Sequence, residues 1–250
     1  MDRVHVPAGM RRYPRARPPW GPKNTLIAIG VNVGGILALS GVVAAIIFAA
    51  DTEFDSLSDA EDWVVVMFVG LTLVQQAVTG GGALWALRTR WDRTVEALGW
   101  NRYDWTQLWR PALMTIALYG GVIIYSVIMT WLDIDLLEPE STVDEDFVRG
   151  PILVAGSFLM ICVGAPLSEE IVFRGAIFGG LLKWGFWPAA VISGFLFSAV
   201  HLDPGSLIPF WIVGIGLAWL YWSRGSLWDA IICHAMFNFS SYLLLISGET

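Results

Sequence analysis

Long runs without a charged residue alternate along the chain with short, strongly charged segments. Residues 25–50, 63–87 and 111–132 contain no Asp, Glu, Lys or Arg. After Pro151 come further apolar stretches at 151–182, 188–201, 207–222 and 227–246. A helix needs about 20 apolar residues to cross the hydrocarbon of a bilayer, and the first three runs meet that length. Lipid admits spanning backbone only as helices or closed barrels. Unbroken apolarity excludes the in–out alternation of a barrel strand. The pattern predicts an all-α polytopic transmembrane bundle of about seven to eight helices. Pro166 is expected to kink the helix of 151–182. Turns are expected at 202–206 and 223–225, which carry Asp203, Pro204, Gly205 and Gly225.

Composition agrees: 56% of the 250 residues are hydrophobic and 15% are charged, against about 25% charged in a soluble domain. This excludes a soluble globular enzyme, a disordered chain and a nucleic-acid partner. Fourteen tryptophans suit a protein with many membrane interfaces. The placement of charge says more. Residues 1–24 form a Pro-rich tail with Arg3, Arg11, Arg12, Arg15, Arg17 and Lys23 against Asp2. Residues 51–62 carry six acids and no base, 88–110 five arginines against three acids, and 133–146 seven acids. Because Lys and Arg stay on the cytoplasmic side, the tail and the 88–110 loop are expected inside and the acidic loops outside. The expected location is the plasma membrane, with a cytoplasmic N-terminus. The tail reads as an orientation signal, with contact to anionic lipid as the alternative. Three segments follow: the tail at 1–24, N-terminal transmembrane helices with acidic external loops at 25–149, and a membrane core at 150–250. Cys162 and Cys233 lie in apolar runs and read as small buried hydrophobes.

Ionisable groups inside spans are costly and mark function. Residues 151–223 hold only Glu169, Glu170, Arg174, Lys183 and Asp203. Glu170 and Arg174 are four apart and can pair on a helix. Glu169 points about 100° away from Glu170, which leaves one carboxylate free to act as a general base or acid. Phe197 and His201 are also four apart, as are His234 and Asn238. Three helices thus each carry a polar device in apolar sequence. Two chemistries fit. Glu169 and one histidine could activate a water while the other histidine and Asn238 stabilise the oxyanion. Alternatively Glu169, His201 and His234 could ligate a zinc-like divalent ion and leave a position for water. Both are hydrolysis. Other readings are a catalytically silent membrane scaffold or immunity-type protein that binds a partner, and a small proton-coupled transporter.

The ordered set Glu169-Glu170-x-x-x-Arg174, Phe197-x-x-x-His201 and His234-x-x-x-Asn238 resembles the CPBP family of intramembrane proteases. That family includes the type II CAAX prenyl endopeptidases and the Abi group of bacteriocin-processing or immunity proteins. The resemblance covers about residues 150–245. It implies an intramembrane metalloprotease-like endopeptidase fold of about eight helices with a cavity toward the cytosol. It implies that Glu169 activates water with help from His201, and that His234 and Asn238 complete the site as oxyanion donors or metal ligands. Glu170 and Arg174 are then supporting residues, and Phe197 packs the cavity. The implied partners are membrane lipids and a membrane-associated peptide or protein substrate. The prenylated CAAX substrate itself is not carried over.

Overall fold

The computed structural model describes residues 15–49, 62–87, 91–101, 103–139 and 145–248. The tail up to residue 14 with His5, the acidic segment 51–61, Arg88, Arg90, Arg102 and residues 140–144 lie outside the described residues. Among the described residues there are eight helices and no strand: α1 (Pro22–Ala49), α2 (Asp62–Leu87), the short α3 (Trp91–Ala97), α4 (Trp109–Leu132), α5 (Pro151–Trp184), α6 (Phe186–Ala199), α7 (Leu207–Arg224) and α8 (Leu227–Ser247). Six of these are long and apolar enough to cross a membrane. The fold is an all-α polytopic bundle, and the chain is an integral membrane protein.

The exception among the long apolar runs is α6. Its 14 residues reach about 21 Å, short of the roughly 30 Å hydrocarbon. The turn after it holds His201. Helices α6 and α7 form a tightly packed pair. A Cβ on Gly214 would lie 2.6 Å from Gly194 Cα, so both glycines are needed for the backbones to approach this closely.

Helix ends follow local chemistry. Pro22 and Pro151 begin α1 and α5, where a missing N–H costs nothing. Gly225 ends α7 at φ 63° and donates its N–H to Tyr221 O at 2.8 Å. The turn at 98–100 clamps this junction. Leu227 N donates to Leu98 O at 2.8 Å, Tyr221 Oη to Ala97 O at 3.1 Å and Trp228 Nε1 to Trp100 O at 3.1 Å. The loop between α2 and α4 thereby fixes the start of α8, two turns before His234. One buried core runs from Ala16 to Phe237 and draws on both halves of the chain.

Candidate active site

Helix α5 is not uniformly α-helical. Leu159–Gly164 and Ile171–Phe178 are π-helical, with Ala165 N–H bonded five residues back to Met160 O. Pro166 follows the first widened turn and has no N–H to give. The disturbance expected at this proline takes the form of a π turn. The carbonyl that a residue with an N–H at position 166 would reach in this register, Ile161 O, accepts from Asn238 Nδ2 at 2.9 Å. Its neighbour Met160 O accepts from Gln76 Nε2 at 3.0 Å. In the second widened turn Ser193 Oγ donates to Phe173 O at 2.7 Å, Trp20 Nε1 to Gly175 O at 2.9 Å and Thr25 Oγ1 to Ala176 O at 2.9 Å. Side chains from four other helices or their approaches thus satisfy carbonyls of the π turns. Between the two turns stands one α-helical segment, Ala165–Glu170, which carries both glutamates.

Glu170 is fully buried. Its Oε1 accepts from Arg174 Nη1 at 2.9 Å and from His234 Nδ1 at 2.9 Å. Arg174 is also fully buried. It donates from Nη2 to Gly214 O at 3.3 Å and lies 4.3 Å from the Phe197 ring centre. The α6–α7 glycine contact brings that carbonyl within reach. Every residue from 170 to 181 is buried, so protein rather than lipid surrounds these charges. Glu169 looks elsewhere, as its helical phase requires. Its side chain is 27% exposed, and its Oε2 lies 4.0 Å from His234 Nε2. That oxygen is itself buried and makes no hydrogen bond among the described residues. His234 therefore stands between two carboxylates, one bonded to Nδ1 and one facing Nε2.

Helix α6 ends at Ala199, so His201 sits in the following turn and not on the helix with Phe197. The four-residue relation survives through the side chain: His201 Nδ1 bonds Phe197 O at 2.8 Å. A carbonyl only accepts, so Nδ1 carries the proton and Nε2 of the neutral ring is an acceptor. The His201 ring lies 5.1 Å from the Phe197 ring, and the Phe197 ring lies 5.5 Å from His234. Phe197 is the wall between the two imidazoles. Beyond it the chain turns through Leu202 at φ 57°, and Asp203 accepts from Gly205 N and Ser206 N at 3.0 Å each.

The structure thus joins Glu169, Glu170, Arg174, Phe197 and His234 in one connected cluster. His201 reaches it through Phe197, and Asn238 lies one turn past His234 with its amide on Ile161 O. Each histidine bonds through Nδ1, which leaves Nε2 as the atom that could ligate an ion; no three His, Cys, Asp or Glu side chains among the described residues are grouped to hold one. Sequence reading passed over Gln76, Thr25, Ser193 and Trp20, which shape α5. Their only signal was polarity inside or beside apolar runs. Ser168 bonds Gly164 O in its own helix at 2.8 Å.

Residues 151–240 match the Rce1-like family of type II CAAX prenyl endopeptidases. The chain is 28% identical over 178 residues to the candidate membrane peptidase YdiL of Bacillus subtilis, covering 70% of this chain and 68% of YdiL. It is 36% identical over 89 residues to the UPF0177 protein YxdF and 31% over 94 residues to the UPF0177 protein YaiF, both of Lactococcus lactis. The match spans 48% of YxdF and 41% of YaiF, under half the length of each. No solved structure matches the chain with comparable significance.

Proposed function

We propose, from the match of residues 151–240 to the Rce1-like family of type II CAAX prenyl endopeptidases, that the chain is an intramembrane endopeptidase hydrolysing a peptide bond of a membrane-associated protein or peptide. The observation that supports this most directly is His234 held between Glu170 at 2.9 Å and Glu169 at 4.0 Å. A carboxylate base beside a histidine that a second carboxylate holds in orientation is an arrangement suited to hydrolysis. The name of YdiL, a candidate membrane peptidase, points the same way.

In this reading Glu169 takes a proton from water as the water oxygen attacks the scissile carbonyl carbon. His201 Nε2 accepts the second hydrogen of that water and orients it. When it carries a proton, His234 Nε2 donates to the oxyanion. Collapse of the tetrahedral intermediate breaks the C–N bond, and Glu169 returns its proton to the leaving amine. Glu170 and Arg174 hold His234 in orientation. Asn238 keeps α8 in register with the π turn. No step passes through a metal.

The test is peptide cleavage by the full chain in liposomes. Glu169→Gln should lower kcat by about 10²- to 10⁴-fold, the usual worth of a positioned acid–base group, while the protein remains folded. Activity should persist after chelation. Wild-type cleavage by Glu169→Gln would remove the proposed base, and loss of cleavage on chelation, restored by added metal, would replace this mechanism with a metal-dependent one.

A further inference from the structure

Away from the glutamates, the segment before α1 makes a second polar feature. Residues 15–20 have no regular structure, yet they are fastened to the bundle. Ala16 is buried and donates its N–H to Trp222 O at 3.1 Å. Trp20 is buried and bonded to Gly175 O. The Arg15 guanidinium lies 4.3 Å over the Trp222 ring. Ordering six irregular residues costs backbone entropy, so the segment is held by specific contacts. Beside it is a cavity of about 380 Å³ lined by Arg15, Arg17, Arg93, Glu96, Ala97 and Gly225.

Three arginines and one glutamate line the cavity, an excess of two formal positive charges in a concave site. Like charges brought together repel unless an anion joins them. Guanidinium forks match the oxygens of a phosphate. The lining residues come from the approach to α1, from α3 between α2 and α4, and from the α7–α8 turn, so the cavity lies where several spans end. Exposed tryptophans at 91, 105, 184 and 187 mark the same end, as expected at a membrane interface. We propose that this cavity binds the phosphate of an anionic phospholipid headgroup, with Arg15, Arg17 and Arg93 as its ligands and Glu96 limiting how much negative charge is accepted.

The full chain, purified in uncharged detergent, is titrated separately with short-chain phosphatidylglycerol, phosphatidylcholine of equal chain length, and inorganic phosphate. Native mass spectrometry counts the bound molecules and thermal unfolding reports their effect. Phosphatidylglycerol should bind saturably at one site, about tenfold or more tighter than phosphatidylcholine, given the contribution of each arginine near an anionic headgroup. Arg15→Gln with Arg17→Gln and Arg93→Gln should abolish that preference, and Glu96→Gln should strengthen binding severalfold. Should the triple variant fail to fold, Arg93→Gln alone, on the exposed face of α3, should still weaken binding severalfold. Equal binding of the two lipids by the wild type overturns the proposal, as does unchanged binding by a folded arginine variant. Inorganic phosphate displacing the lipid at equal potency would make soluble phosphate the ligand and also overturn it.

Discussion

Glu169 and Glu170 are adjacent and chemically identical, and their surroundings assign them different work. Glu170 is enclosed and bonded to both Arg174 and His234, while Glu169 keeps an unbonded oxygen facing His234. Removing one partner of a buried ion pair leaves the other uncompensated, at about 3–5 kcal/mol. Glu170→Ala is therefore expected to lose about that much stability in a denaturant or thermal unfolding assay. Glu169→Ala should lose less than about 1 kcal/mol, because no bonded cation depends on it. The helical spacing made the Glu170–Arg174 pair legible, and it made the separate direction of Glu169 legible too. It could not show that His234 would take Glu170 as its hydrogen-bond partner. That contact joins residues 64 apart in the chain and depends on how α8 packs against α5.

At the scale of elements, the apolar runs located every long helix, and the ends moved by only a few residues. Helix α4 starts at Trp109 and not Pro111, and α7 runs on to Arg224. The π turns were legible only as a proline disturbance, because a widened turn shows in the fold through the foreign side chains that serve its carbonyls. His201 left its helix for the same kind of reason. Leu202 turns left-handed and closes α6 early, and sequence periodicity carries no sign of this. The close α6–α7 contact supplies a test. In Gly214→Ala the new methyl would press on Gly194 Cα, a backbone atom that cannot swing aside. About 1–3 kcal/mol of overpacking cost is expected, together with reduced peptide cleavage as Gly214 O moves off Arg174. Gly30→Ala in α1, where a Cβ meets nothing within 4 Å, should be neutral or mildly stabilising in the same unfolding assay.

For the whole molecule, the alternation of basic and acidic segments predicts the path of the chain: α1, α2, α4 and α5 crossing in turn, α6 and α7 returning to the side from which α6 starts, and α8 crossing once more. Residues 101 and 248 are accordingly expected on opposite sides, with 101 cytoplasmic. Single cysteines at these positions, labelled with an impermeant reagent in intact cells, check this: only the one at 248 should react. Cys162 and Cys233 are buried and should stay silent. The short segment ahead of α1 also sets an order in time. Trp20 bonds Gly175, 155 positions later, and Ala16 bonds Trp222. At about 5–20 residues per second of synthesis, the first span waits roughly 8–30 s for its seat to emerge from the ribosome. The chain therefore closes on itself only after α7 has been made, and the segment ahead of α1 settles late.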